Sequence, residues 1–410
     1  MVAASRIASI LLFFCLGHAL AFSVLNREHR IISRTRLYSD NFSELTNTLA
    51  RLDQQWKIQQ RTKAGASRWK TLRLDSESSA TSSGPTSSDP LGALFADSTS
   101  KDKVYLLEPP YGSTPSCMIL FVGGAGLGTY PQIAYNELLL RLSNRLNAAV
   151  LAVPYTIALD HFALAKETGE RALQAVSYCQ DKFQYPEGLS VYSLSHSLGG
   201  KLSIIHYCAM KPEYAGMGII GFNNFGFGET VRMAREFAQQ LQSNIGGPGG
   251  NMPPQSDALF NQLFGFAETA VSAMGIDFSP TSSQTYQLIA SRFDENIQRK
   301  TRLFAMDRDT LHNSAQLSEA CSLIDVSGLD GTHLTPVFFE LGLDTIPDID
   351  ARNMVKDAMG GFEKASYGDE DELNELVQEV CDWIMGKQPK RRPDWKREAP
   401  LLNPALVDED

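Results

Sequence analysis

No two cysteines in this 410-residue chain lie close enough to form a CxxC pair; the six stand at positions 15, 117, 179, 208, 321 and 381. That argues against a structural zinc site or a thiol redox motif. Five remain if the first segment is removed, an odd and scattered set unlike a disulfide framework. Basic charge is also in short supply. The 37 lysines and arginines face 47 acids, for a net charge of −10. Nucleic-acid recognition needs a basic face, so no nucleic-acid partner is expected. Beyond the amino terminus no apolar run is long enough to span a bilayer, so any membrane contact is expected to be peripheral. What the chain does have is apolar mass. Hydrophobic residues make up 43% of it, enough for one large core.

The amino terminus reads as a targeting segment. Met1–Arg6 is positively charged, Ile7–Leu16 is a short apolar run, and Ala19-Leu20-Ala21 fits a small-residue cleavage site. The next stretch is rich in arginine and hydroxyl groups. Residues 1–39 hold five arginines and one glutamate, a net of +4, which leaves −14 for the remainder. A signal peptide followed by a basic stretch resembles the bipartite plastid presequence of algae with secondary plastids; secretion is the alternative. Residues 40–66 form an N-terminal extension. In it Phe42, Leu45, Leu49, Leu52 and Trp56 share one helical face. A serine-rich loop follows at 75–89.

The body of the chain, 67–387, alternates short apolar runs with helical periodicity. Strands are expected at Trp69–Leu74, Cys117–Val122, Ala148–Tyr155, Leu189–Leu194, Met217–Phe222, Arg302–Met306 and Cys321–Val326. Helices fill the gaps between them, with further helices near 349–362 and 371–385. Continuous apolar strands separated by helices imply a mostly parallel α/β sheet covered on both faces. The alternation breaks at 228–300, which reads as a helical cap insertion. Its Phe260, Leu263, Phe264, Phe266 and Met274 suit an apolar acyl or isoprenoid group, or simply pack the cap. Residues 388–410, rich in proline and charge, read as a disordered tail.

In such a sheet, ligands sit beyond the carboxyl ends of the strands. The segment Ser195-His196-Ser197-Leu198-Gly199 matches the Gly-x-Ser-x-Gly nucleophile elbow at four of five places. Ser195 replaces the first glycine and adds only a hydroxymethyl group. Ser197 is therefore the candidate nucleophile; the other reading is a serine capping the next helix. A serine hydroxyl needs a base. His333 follows the last strand, where the base belongs. After the strand before it, Asp309 and Asp307 compete for the acid, and Asp309 stands in the turn proper. The order Ser197, Asp309, His333 is that of the α/β-hydrolase fold. Among the other histidines, His206 is expected in the core, and His196 is expected to point away from the reaction. Oxyanion donors are expected from the backbone amides of Leu198 and of Ala125, in the glycine-rich loop 123–128. Gly124 lets that loop approach the substrate. The same loop hints at a dinucleotide turn, but it reads GxGxG rather than GxGxxG. The next strand also ends without the acid such a site needs. No metal or cofactor is expected.

The segments FVGGAGLGTYPQIAYNELL, AVPYTIALDHFALA, SLSHSLGGKL, GFNNFGFG, MDRDTL and GTHLTPV occur in that order. Together they resemble an α/β-hydrolase-like family of plants, algae and cyanobacteria, domain of unknown function 1350, over roughly Trp69–Trp383. The resemblance implies a hydrolase core and a chloroplast or cyanobacterial setting, but no substrate. It places an Asp-His pair on Asp160 and His161 and an Asn pair on Asn223 and Asn224, bordering the pocket. These pairs either orient substrate or satisfy buried backbone groups. The expectation is a plastid serine hydrolase acting on a small apolar ester or thioester. The alternative is a catalytically silent hydrolase-fold protein that binds a lipid, pigment or protein partner.

Overall fold

A computed structural model describes residues 68–74, 102–230, 277–342 and 364–393. The presequence, the extension 40–66 and the loop 75–89 lie outside the described residues. So do the expected helix 349–362, cap residues 231–276 with their five apolar candidates, and tail residues 394–410.

Eight strands form one sheet: β1 (Trp69–Arg73), β2 (Lys103–Leu107), β3 (Cys117–Val122), β4 (Ala148–Ala152), β5 (Ser190–His196), β6 (Gly216–Ile220), β7 (Thr301–Met306) and β8 (Asp325–Leu329). Their order is β1-β2-β4-β3-β5-β6-β7-β8. β2 is antiparallel to β1 and β4, and all later neighbours are parallel. A small antiparallel pair, β9 (Phe339–Gly342) and β10 (Lys364–Tyr367), stands apart.

The strands are apolar on both sides because both faces are covered. On β3, Cys117, Ile119 and Phe121 face one core with α1 (Asn136–Leu146) and α6 (Glu370–Ile384). Met118 and Leu120 face the other core. That second core is roofed by α2 (His161–Phe183), α3 (Leu198–Met210), α4 (Ser282–Arg292) and α5 (Ser314–Ala320). Helices α2 and α3 approach closely at Gly169, where an added Cβ would stand 2.2 Å from the His206 ring. His206 is a buried packing residue here.

Besides shifts of a few residues at strand ends, three boundaries differ from the sequence reading. Cys321–Ile324 is not the start of the last strand. The Cys321 amide closes α5 on the Leu317 carbonyl, Ile324 turns back to Cys321, and β8 begins at Asp325. Only Cys321 and Ile324 of this run are buried, and so short a stretch suits a turn after a helix as well as a strand, so periodicity could not separate the two. Residues 277–300 belong to the sheet's helical layer. Ile289, Phe293 and Ile297 pack into the second core beside Met217 and Leu303. The tail is docked as far as residue 393. The Gly328 amide on β8 donates to the Arg391 carbonyl at 2.7 Å, and Lys390 pairs with Glu379 and Asp382 at 3.2 Å. Chain lying along the edge strand satisfies one of its amides.

Candidate active site

The sheet delivers three side chains to its carboxyl edge. Ser197 ends the turn between β5 and α3 with φ 55° and ψ −124°, a backbone region that non-glycine residues rarely occupy. Its amide is held by the Ile220 carbonyl at 2.9 Å. The turn fits because Gly199 lacks a side chain: a Cβ there would lie 2.2 Å from the Val122 carbonyl oxygen. Ser195, the substituted elbow position, is fully buried and donates from Oγ to the Gly218 carbonyl at 3.3 Å. Room on that side comes from Gly200, where a Cβ would stand 2.8 Å from Ile219 and 3.8 Å from Ser195 Oγ. Ser195→Gly is therefore expected to keep the site working within a few-fold. It should cost about 1 kcal/mol through strand entropy, read by thermal unfolding.

His333 Nε2 lies 2.9 Å from Ser197 Oγ, and His333 Nδ1 lies 2.8 Å from Asp309 Oδ2. For this line to work as acid, base and nucleophile, Nδ1 carries the proton toward Asp309 and Nε2 accepts from the serine hydroxyl. The other Asp309 oxygen accepts from the Leu311 amide at 2.7 Å. Burial alone would raise this carboxyl. The charges of His333 and His312 and the hydrogen bonds it accepts outweigh that, holding it down at about 2. Asp307, the competitor, turns away into an ion pair with Arg391.

The loop after β3 closes against the elbow. A Cβ on Gly124 would come 3.1 Å from Ser197 Cβ. Ala125 follows on the exposed surface of that loop, with its carbonyl accepting from the Leu127 amide at 2.8 Å. Leu198 opens α3, where helix-start amides point outward. The two expected oxyanion donors thus flank Ser197 in the chain segments that meet there.

Of the pairs implied by the family resemblance, Asp160, Asn223 and Asn224 are each hydrogen-bonded to backbone groups. Asp160 caps α2 by accepting from the Ala163 amide at 2.9 Å. His161 is buried and stacks on Phe278 with centroids 4.1 Å apart. Neither of its ring nitrogens has a partner. Asn223 donates to the Leu311 carbonyl at 3.3 Å, and Asn224 donates to the Ser282 carbonyl at 3.1 Å. The Asn224 amide is held by Asn313 Oδ1 at 2.8 Å. Both asparagines stitch the end of β6 to the segment that carries Asp309.

Sequence reasoning missed three members of this neighbourhood. Gly221 has φ +52°, and a Cβ on it would stand 3.1 Å from Asp309 Oδ2 and 3.3 Å from His333 Nδ1. A glycine closing an apolar strand was the available signal. Tyr135 and His196 are the others. His196 does not point away from the site; its ring reaches the His333 backbone carbonyl at 2.9 Å. The side chain of the residue before the nucleophile turns under the histidine loop, which no local pattern reveals.

Two buried imidazoles have a consequence for pH. Desolvation, with the charge of Lys201 on His161 and of His333 on His196, lowers both rings to about 3. Above about 6.5 both folded and unfolded chains are neutral at these rings. Between about 6.5 and 3 the unfolded chain binds protons that the fold cannot. Stability is therefore lost as pH falls through that window, by about 2 kcal/mol per ring at pH 5. Denaturant midpoints at pH 7 and pH 5 measure this, and equal midpoints would refute it.

The strand order, the serine in a strained strand-to-helix turn and the trailing acid and histidine define the α/β-hydrolase fold. The chain belongs to the family described as protein of unknown function (DUF1350), whose model matches residues 105–386. No curated protein matches the sequence significantly. Solved structures with a likeness include carboxyl esterase 2 from the fungus Tuber melanosporum, at 14% identity and a TM-score of 0.37, covering 63% of this chain and 80% of that one. A thermostable carboxyl esterase from Bacillus coagulans aligns at 11% identity and a TM-score of 0.37, covering 69% of this chain and 93% of that one. The thioesterase domain of the curacin biosynthetic pathway aligns at 14% identity and a TM-score of 0.33, covering 63% and 94%. Among the described residues no helix is long and apolar enough to cross a membrane.

Proposed function

We propose that this protein is a serine hydrolase that cleaves a carboxylic ester or thioester through an acyl-enzyme. The observation that carries the reading is the unbroken line Ser197–His333–Asp309, with links of 2.9 and 2.8 Å. In this reading Ser197 Oγ attacks the acyl carbonyl while His333 Nε2 takes its proton. Asp309 holds the Nδ1–H tautomer and balances the charge that forms on the ring. The amides of Leu198 and Ala125 receive the oxyanion. The imidazolium then protonates the departing alcohol or thiol, and water, activated by the same histidine, releases the acid.

The substrate reading is a small molecule with an apolar acyl or isoprenoid part. It rests on the apolar residues of the cap segment in the sequence. Residence in a plastid is part of the same proposal and is supported by residues 1–39 and by the family resemblance.

A fluorophosphonate probe tests the mechanism, because only an activated serine attacks it. Wild type is expected to label, and Ser197→Ala and His333→Ala are expected to stay unlabelled. A folded wild type that never labels would end the hydrolase reading in favour of a silent binding protein.

A further inference from the structure

Three chain segments must hold a fixed register for acyl chemistry: the loop after β3, the elbow and the loop that carries His333. A single buried hydrogen-bond chain joins them. The Gly124 amide meets the Tyr135 hydroxyl at 2.8 Å. The same hydroxyl meets His196 Nδ1 at 2.9 Å. His196 Nε2 meets the His333 carbonyl oxygen at 2.9 Å. Tyr135 is fully buried, and His196 is 1% exposed.

The direction of every proton follows from chemistry. A backbone amide can only donate, so the Tyr135 oxygen accepts from Gly124. The hydroxyl proton is then available to His196 Nδ1, which must accept. A carbonyl can only accept, so His196 Nε2 carries the ring's one proton. A neutral imidazole has one donor and one acceptor, and both are used. An imidazolium would present two donors and face the tyrosine with a second proton. Burial holds the ring neutral and holds the Tyr135 hydroxyl well above its ordinary range. The packing is built for this chain as well. A Cβ on Gly123 would strike the Tyr135 ring at 2.6 Å, and one on Gly124 would stand 3.0 Å from His196 Nδ1.

We propose that His196 and Tyr135 are positioning residues that lock the oxyanion loop to the His333 loop, with the elbow strand as the bridge. The proposal rests on the hydrolase reading for its effect on rate. The juxtaposition itself does not depend on that reading. Gly124 immediately precedes Ala125, whose amide is an expected oxyanion donor. The His333 carbonyl belongs to the residue whose ring meets Ser197. A shift at one end of the chain therefore displaces the other. Misplacement of reacting groups by about 1 Å costs on the order of 100-fold in rate.

The test uses full-length protein with 15N-labelled histidine and the substitutions Tyr135→Phe, His196→Gln and His196→Leu. In wild type, His196 is expected to show a protonated Nε2 and a bare Nδ1. Tyr135→Phe is expected to move the far-downfield Nδ1 proton resonance of His333 and to slow fluorophosphonate labelling by about 10- to 100-fold. His196→Gln keeps an amide able to donate to the His333 carbonyl. It is expected to retain about tenfold more reactivity than His196→Leu, a rescue that loss of bulk packing alone would not give. If Tyr135→Phe does not fold, the two His196 variants carry the same comparison. A proton on His196 Nδ1, or a folded Tyr135→Phe with wild-type resonance and labelling rate, overturns the proposal. A wild type inert to the probe whose His333 resonance still moves in Tyr135→Phe upholds the lock while the hydrolase reading fails. A reactive wild type matched by all three variants does the reverse.

Discussion

Asp309→Asn is expected to lower kcat on an activated ester such as a p-nitrophenyl ester by about 10⁴-fold, with thermal unfolding still cooperative. The amide keeps the shape of the carboxylate but presents an uncharged group to His333 Nδ1, and an NH₂ rotamer there would favour the wrong imidazole tautomer. The charge that forms on the ring during attack also loses its partner, in a site where Asp309 is 5% exposed and water cannot substitute. Asp307→Asn is the matched control. Asp307 is two residues away but pairs with Arg391 on a partly exposed surface. Such pairs contribute about 0–1 kcal/mol, so kcat should stay within twofold. Equal losses in both variants would mean that the hydrogen bond from His333 to Asp309 is not used in catalysis.

Gly199→Ala is expected to be the most damaging single methyl addition in the described structure. The added Cβ would stand 2.2 Å from the Val122 carbonyl oxygen and 2.5 Å from that of Gly123. Both obstacles are backbone, so no rotamer change relieves them. Strand β3 and the start of α3 must move apart by about 1 Å, and overpacking of this kind costs about 3 kcal/mol or more. The same movement would carry Ser197 away from the loop that holds Ala125. Soluble yield, unfolding midpoint and labelling should fall together. Gly188→Ala, where a Cβ meets nothing within 4 Å, should leave all three unchanged. A Gly199→Ala protein as stable as wild type would show that the elbow has slack the geometry does not suggest.

The local grammar of the chain was enough for the architecture. Buried runs such as CMILFV and AAVLA stop at loops, and helical periodicity fills the intervals, so the parallel sheet was legible. The order Ser197, Asp309, His333 could be read because each residue follows its strand in sequence, and chain order survives folding. The extent of β8 could not be read, because a stretch as short as Cys321–Ile324 fits a turn after a helix as well as a strand. Strand β2 was likewise hidden, since five residues carry little periodic signal.

Other facts belong to tertiary structure alone. Ser197 and the histidine ring it meets are 136 residues apart, and His196 and the His333 carbonyl are 137 apart. Which carboxyl the fold turns toward His333, and which it gives to Arg391, is visible only in the tertiary structure. Whether Ser195 fits an elbow depended on Gly200 and β6, and the partners of Tyr135 depended on the loop after β3 and the end of β5. Sequence pattern is a short-range signal set by backbone periodicity. Hydrogen bonds between loops are fixed only when the sheet brings distant segments within about 3 Å.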